Sequence, residues 1–292
     1  MRVDVGVSAF EGQVDHEASC PSDDAIACAA DPGLPAYEHH VSIPWARFDV
    51  GLTVGTGKGW FLWGTVPVDA RYREVSYTFP DGSAYEPPSP DLHHQDGWQG
   101  GLTDGRLMLF RADKVGAISW ALGIGTTLPL GAPPVDPYEL AEQGQPHEHL
   151  LMGSGTFVPT VTARVGVNGM RWGGSVQYDL RYPVYESAGG YFPAEVVSWN
   201  VGPSWRATPN VTLLASWEST HQDEETWHGV ERGGMHMFGV AAGALWTPTP
   251  ALSLQVRVRY NFAHLPHGDF ADEQITKPVI VTIGGSWTAP QV

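Results

Sequence analysis

From Ala251 to Phe262 the chain changes character at every residue, Leu252, Leu254, Val256, Val258, Tyr260 and Phe262 alternating with Ser253, Gln255, Arg257, Arg259 and Asn261. Successive side chains of an extended strand point to opposite faces, so this period of two specifies a strand with one oily and one polar face. Trp172 to Tyr182 repeats the pattern with Ser175, Gln177, Asp179 and Arg181 on the polar side, and Phe157 to Val167 does so with Thr160, Thr162 and Arg164. Alternation alone fits a soluble sandwich as well as a barrel, because both have one apolar and one wet face. The spacing of the strands separates the two.

Twelve such segments are found, at 2–10, 41–56, 60–78, 101–110, 117–128, 156–167, 171–182, 195–206, 211–220, 236–246, 251–262 and 277–288. Five short connections join them, near Gly57-Lys58-Gly59, Arg111 to Gly116, Asn168-Gly169-Met170, Thr208-Pro209-Asn210 and Thr247 to Pro250. These are tight-turn sequences. Six long connections, about 11–40, 79–100, 129–155, 183–194, 221–235 and 263–276, fall between them in strict short-long alternation. An antiparallel sheet closed into an up-and-down barrel, with tight turns at one rim and long loops at the other, predicts that alternation. A strand of about 12 residues, rising about 3.3 Å each and tilted roughly 40°, spans about 30 Å, enough to cross the hydrocarbon layer. The expectation is all-β: a single up-and-down antiparallel transmembrane β-barrel of about 12 strands, with residues 1–292 as one domain. It belongs in the outer membrane of a Gram-negative bacterium, multi-pass, with short periplasmic turns and long extracellular loops.

The composition suits many short strands and turns: 42% hydrophobic residues with 35 Gly, 24 Pro and 12 Trp in 292 residues. No window approaches the roughly 18 consecutive apolar residues of a membrane helix. The start, Met1-Arg2-Val3-Asp4-Val5, alternates at once and lacks the apolar core of a signal peptide, so the chain reads as a mature form. Trp60, Trp172, Trp205, Trp246 and Trp287 sit beside short turns or the C-terminal end, the place for an interfacial girdle. Tyr77, Tyr182, Tyr185, Trp217, Phe238 and Phe262 would form the opposite girdle. Pro44, Pro67, Pro159 and Pro203 fall inside these segments and should mark bulges or strand ends. A slip in alternation at Arg73-Glu74 predicts another bulge.

Charge is sorted by side. The net charge is −16, and 24 of the 32 acidic residues lie in the long loops and their flanks, beside a single base, Arg232. Such a rim concentrates cations and repels nucleic acid. Charges within the strands share one parity, opposite to the apolar residues, and are expensive facing lipid, so they are assigned to a polar lumen. The lumen-lining set is Arg47, Asp49, Asp69, Arg71, Arg73, Asp104, Arg106, Arg164, Gln177, Asp179, Arg181, Glu218, Arg257 and Arg259, with Arg2 and Asp4 on the same parity. Two readings stand: an aqueous eyelet, or Arg-Asp pairs that close a narrow lumen. Arginine is also the usual partner of carboxylates, which would suit an organic-acid solute.

All twelve histidines fall in or beside the long loops. His39, His40, His93, His94, His147, His149, His236, His264 and His267 are candidate metal ligands, grouped as His93-His94, His147-Glu148-His149, Met235-His236-Met237, and His264 with His267. Imidazole takes zinc or copper, and thioether suits copper(I). No cofactor is required by this reading. Cys20 and Cys28, close together in a polar stretch, suit a local disulfide in an oxidising compartment.

Gly101-Leu102-Thr103-Asp104, Leu128-Pro129-Leu130-Gly131 and Gly153-Ser154-Gly155-Thr156-Phe157-Val158-Pro159 carry a resemblance, over about Gly97 to Thr288, to the MetA-pathway of phenol degradation family of outer-membrane proteins. The resemblance implies an outer-membrane barrel associated with uptake or handling of small, frequently aromatic molecules, and it supplies no catalytic residues. Thr103 and Phe157-Val158 depart from the family's usual Gly and aromatic-Asp positions, so its substrate class does not carry over.

Phosphate loops, dinucleotide fingerprints and basic helices for nucleic acid are absent. Ser216, Ser219 and His221 have no nucleophile motif around them, and Asp23-Asp24 with His16 reads as a solvated loop, so no enzyme is expected. Three roles remain: a narrow or gated passive channel for a small solute, a metal-binding or metal-uptake barrel using the acidic His-rich loops, and a structural or adhesive barrel. The expected partners are outer-membrane lipid and lipopolysaccharide, with a small-molecule solute or a divalent cation; oligomeric state is left open.

Overall fold

The computed structural model describes residues 1–18, 37–86, 96–145, 151–268, 274–276 and 279–289. The chain opens with three long strands, β1 (Arg2–Ala18), β2 (Tyr37–Gly57) and β3 (Trp60–Thr78). Then come β4 (Gly97–Leu102), β5 (Gly105–Val115), β6 (Ile118–Leu128), helix α1 (Pro137–Glu142), β7 (Pro159–Asn168) and β8 (Trp172–Arg181). They are followed by β9 (Tyr191–Phe192), β10 (Val196–Thr208), β11 (Val211–Gln222), β12 (Glu225–Trp227) and β13 (Val230–Arg232). The last strands are β14 (Gly234–Thr249), β15 (Leu252–His267), β16 (Gln274–Thr276) and β17 (Val279–Thr288).

Twelve of these close an antiparallel barrel in the order β1-β2-β3-β5-β6-β7-β8-β10-β11-β14-β15-β17. The seam is sealed by β1 against β17, Arg2 opposite Thr288 through Ala9 opposite Val281. Closure removes the unpaired edges that an open sheet would expose to lipid. The short links take the tight turns their sequences specify. Gly57, Lys58 and Gly59 have φ of 94°, 51° and 78°, and a Cβ on Gly59 would stand 2.3 Å from the Ala112 carbonyl oxygen. That turn therefore needs glycine twice over.

The wall is inside-out relative to a soluble protein. Val50, Leu52, Leu109, Val165, Val176, Leu254, Val256 and Ile283 are exposed on the outer face, while Asp69 (1% exposed), Arg71 (3%), Thr160 (2%) and Asn261 (3%) are buried within. In water each exposed Val or Leu would forfeit about 1.5–3 kcal/mol of burial energy. Against lipid hydrocarbon nothing is forfeited, and a charge facing outward at mid-membrane would cost about 2–4 kcal/mol instead. Trp172 stacks on Trp205 at 5.9 Å near the short turns, and Trp217 meets Phe262 at 5.0 Å toward the long loops. No helix among the described residues is long and apolar enough to cross a membrane, so the crossing is made by strands.

Several boundaries differ from the sequence expectation. β1 and β2 stay paired out to Ala18 opposite Tyr37, so residues 11–18 and 37–40 of the expected loop 11–40 are strand. β14 and β15 likewise take up parts of the expected loops 221–235 and 263–276. The slip at Arg73-Glu74 is not a bulge: β2 and β3 hold one register from Gly55 opposite Phe61 to Glu38 opposite Thr78. Glu74 is exposed beyond the apolar belt, where an outward position no longer has to be oily. Tyr77 leaves the outer girdle, standing on the Asp69 face of β3 against Tyr37 at 6.0 Å. Pro44 pairs with Glu11 and Pro203 with Gly174 without a register shift, and Pro159 simply begins β7.

Pro67 does interrupt a strand, its partner's. β3 pairs with β5 over Trp60 to Thr65 and with β4 over Val68 to Arg73, so the segment expected as one strand over 101–110 is broken at Thr103-Asp104. Proline has no N–H to offer the ladder. The Thr103 N–H donates to the Pro67 carbonyl at 3.1 Å, and Asp104 is freed to turn inward.

Candidate functional site in the barrel lumen

Inward positions of β2 and β3 build the first part of the site. The Arg47 Nε and Nη2 donate to the two Asp69 carboxylate oxygens at 2.6 and 2.9 Å, and the Arg71 Nη2 adds a bond of 3.0 Å. Arg71 also lies over the Trp45 ring at 3.6 Å and donates to the Leu151 carbonyl. One buried carboxylate is shared by two guanidiniums, which leaves a positive charge on this wall. Arg73 lies further out on the same face, beside Asp96.

Asp104 does not pair with arginine. Its carboxylate accepts from the Ser154 N–H at 2.8 Å, the Ser154 hydroxyl at 2.6 Å and the Gly131 N–H at 3.4 Å. These bonds pull segment 151–156 into the barrel mouth. The Thr127 hydroxyl steadies the same segment, donating to the Thr156 carbonyl at 3.3 Å and accepting from the Val158 N–H at 2.9 Å. Thr156 is 1% exposed.

On the opposite wall Asp179 accepts from the Thr162 hydroxyl at 2.6 Å and the Gln177 amide at 2.7 Å. Glu218 takes Arg257, Arg259 at 3.3 Å and the Ser216 hydroxyl at 2.8 Å. Asp49, Arg106 and Arg181 line the outer part of the lumen and Arg164 the inner part. Of the two sequence alternatives, each has a share: Asp69 and Glu218 are locked to arginines, whereas Arg106 and Arg181 have no hydrogen bond or ion pair among the described residues.

Two cavities result. One of about 580 Å³, toward the long loops, is lined by Arg47, Asp49, Arg71, Asp104, Arg106 and Arg181, with Leu151, Met152, Val158, Pro193 and Ala194 on its loop side. The other, of about 840 Å³ toward the short turns, is lined by Arg164, Glu218 and Arg257 and by many small residues such as Gly166, Gly174, Ser175, Gly202, Ala215 and Gly243. They share no lining residue. By register, Met108, Phe110, Thr162, Asp179 and Arg259 fall between them. Met108 is 1% exposed, and Phe110 stacks on Phe61 at 5.0 Å and meets Trp63 edge-on at 6.4 Å. Met108 faces Gly125 and Phe110 faces Gly123, where a Cβ would approach the Met108 sulfur to 2.6 Å and the Phe110 ring to 2.3 Å. The two glycines on β6 provide the room for the large side chains of β5.

Beyond the outer cavity β9, β12 and β13 form a small sheet. The Tyr191 hydroxyl donates to Glu225 at 2.8 Å, and Tyr191 packs on the buried Trp227 at 4.9 Å. Burial pushes the Glu225 carboxyl above its ordinary value, against the pull of hydrogen bonds from Tyr191 and Trp227. Burial and the nearby Glu225 charge push the Tyr191 phenol up as well. Arg232 caps the Tyr138 ring of α1 at 3.5 Å. Neither this sheet nor the Asp104 anchor was read from the sequence, because both depend on long-range partners inside loops.

The histidines are not gathered as the sequence grouping expected. His236 meets His221 at 5.2 Å between ring centroids, His221 stacks on His267 at 5.7 Å, and the His236 Nε2 is engaged by the Ser219 hydroxyl at 2.9 Å. His264 contacts the Met235 sulfur at 3.0 Å instead of joining His267, because alternate positions on β15 face opposite sides. His40 bonds the Thr78 hydroxyl at 2.8 Å, and His39 lies on β2. Among the described residues no three His, Cys, Asp or Glu converge to hold a metal ion. His93, His94, His147 and His149, and the expected disulfide pair Cys20 and Cys28, lie outside the described residues.

No family model matches the chain, and no curated protein matches it in sequence. Among solved structures it is similar to the COG4313 outer membrane channel from Pseudomonas putida F1, at 11% identity and a TM-score of 0.60 over 98% of this chain and 95% of that one. Weaker likenesses reach the NanC porin (8% identity, TM-score 0.46, 96% of this chain and 100% of that one) and the P. putida toluene transporter TodX (7%, 0.46, 100% and 90%). The first likeness establishes the barrel fold; the other two add nothing to it. The fold implied by the phenol-degradation resemblance therefore stands, while that family itself has no model match. With its closed twelve-stranded wall and lipid-facing belt, the chain is a multi-pass outer-membrane barrel of a Gram-negative bacterium.

Proposed function

We propose that the protein is a narrow, gated passive channel for a small solute, with the long-loop end outside the cell, and that it has no catalytic role. The observation that carries this reading is the pair of charged cavities in series along the lumen, the outer one covered by a segment held in place by Asp104. A purely structural barrel gains nothing from two internal cavities lined with arginine. A passive channel needs such a polar path through the membrane, together with a means of restricting it.

The test is single-channel recording in planar bilayers. Discrete conductance steps are expected from the wild-type protein; silence with all salts and voltages would sink the reading. In Asp104→Ala the Ser154 anchor is lost. Hydrogen bonds to a charged group are worth about 1.5–3 kcal/mol, so the covering segment should open about ten- to a hundredfold more often, seen as longer or larger openings.

A further inference from the structure

We propose that the outer cavity binds an amphipathic organic carboxylate, its carboxyl group held by Arg106 and Arg181 and its hydrocarbon part against the loop-side wall. The proposal rests on the channel reading only for how the solute arrives. Arg106 and Arg181 both line the cavity, yet neither makes a hydrogen bond or ion pair among the described residues. The Arg181 guanidinium is desolvated by burial and repelled by Arg106 and, less, by Arg47, while Asp179 and Tyr191 act on it favourably without an ion pair. Arg47 and Arg71 converge on Asp69, and Arg257 and Arg259 on Glu218. Arg164 likewise makes no hydrogen bond or ion pair among the described residues, but it is the only such arginine lining the inner cavity, whereas Arg106 and Arg181 share the outer one. Two partnerless forks of donors in a partly desolvated cavity are costly on their own and are satisfied by an anion with two acceptor oxygens.

The other wall identifies what the anion carries. Leu151, Met152, Val158, Pro193 and Ala194 present apolar surface to the same space, and inorganic phosphate or sulfate would leave that surface against water. A fatty or other apolar acid would use both walls. The volume of about 580 Å³ falls within the range of about 300–1,000 Å³ typical of small-molecule sites. Asp49 and Asp104 also line the cavity, and their charge discriminates against a second carboxylate, which favours a monocarboxylate.

The probe is hexanoate, compared with its neutral amide, hexanamide, and with acetate, which lacks the apolar part. With the wild-type protein in planar bilayers, hexanoate should block the potassium chloride current saturably, at a half-blocking concentration at least tenfold below those of both controls. In the Arg106→Gln/Arg181→Gln variant the advantage of hexanoate over hexanamide should collapse toward one. Arg181→Lys, which keeps the charge but loses the planar fork, should retain part of it. Calorimetry on the detergent-solubilised protein reports binding independently of conduction. Equal potency of hexanoate and hexanamide on the wild type, or an advantage that survives in the double variant, would overturn the site while leaving the channel intact. Saturable hexanoate binding in a barrel that never conducts would do the reverse. Because the acid and amide are compared on the wild type, the result does not depend on the variants folding.

Discussion

The two halves of the lumen share β5, β6, β8, β10 and β11, but β2 and β3 line only the outer cavity and β7, β14 and β15 only the inner one, and the halves solve opposite problems. In the outer half, Asp69 is 1% exposed between two arginines, a loop segment is tied to Asp104, and apolar loop residues face the cavity. In the inner half, glycine, alanine and serine dominate the wall, and the Glu218–Arg257 pair stays partly open, the Arg257 side chain being 32% exposed. Small side chains widen a barrel of fixed strand number, whereas buried ion pairs and loops narrow it. On the channel reading proposed above, discrimination would fall at the long-loop end and the inner half would serve as an exit.

Removing one carboxylate from each half separates them most sharply. Asp69→Asn strands Arg71, whose side chain is 4% exposed, along with the more open Arg47, and breaking a buried pair in this way costs about 3–5 kcal/mol. Glu218→Gln leaves Arg257 and Arg259 without their carboxylate, but both are more open than Arg71, so the cost should be about 1 kcal/mol after solvent screening. Unfolding midpoints in guanidinium should therefore fall much further for Asp69→Asn. Equal shifts would show that the inner half is as desolvated as the outer.

The wall was legible in the sequence because its physics is local. Each strand carries its own period of two, and the tight turns carry their own Gly, Asn and Pro, so Leu252 to Phe262 could be placed on a barrel with no partner known. Arg257 and Arg259 were assigned to the lumen by parity alone, and they stand opposite the exposed Val256 and Val258. Loop structure is not local. The anchoring of Ser154 by Asp104 spans 50 residues and follows from a missing N–H at Pro67, on another strand. The grouping of His264 with His267 fails for a related reason: nearness in sequence does not determine which side of a strand a ring faces. One long-range contact does leave a local trace in the sequence. Gly123 and Gly125 alternate within β6 at the inward positions, and such a pair calls for large neighbours across the ladder.

That pairing belongs to the boundary between the halves and gives the intermediate effect. In Gly123→Val the new side chain meets the Phe110 ring, which a Cβ alone would approach to 2.3 Å. Overpacking of this kind costs about 1–3 kcal/mol. Because Phe110 lies between the cavities, the ring would also be pushed along the lumen, so conductance should change along with the unfolding midpoint. The double variant Gly123→Val/Phe110→Ala should recover most of the lost stability. Gly55, which has no atom within 4 Å of a Cβ placed on it, is the control, and its replacement by Ala should have little effect on either readout. A large loss at Gly55 with none at Gly123 would remove the glycine-for-aromatic exchange as the reason for the pattern.

The smallest expected effect lies furthest out, in the sheet of β9, β12 and β13, where pH should act on the cover and leave the wall unchanged. Glu225 has its carboxyl pushed up by burial, so the docked sheet holds the proton more tightly than an undocked one. Docking is then strongest below the ordinary glutamate range and weakens as pH rises through the higher value of the docked state, where ionisation leaves a buried charge supported only by the Tyr191 and Trp227 hydrogen bonds. Openings should lengthen gradually from about pH 4 toward neutrality, the reverse of what a lumen carboxylate ionising in water would give. In Glu225→Gln that slope should flatten while the conductance of each opening is retained. If the slope persists in Glu225→Gln, the pH dependence belongs to other carboxylates such as those of the lumen, and the outer sheet is a passive cover.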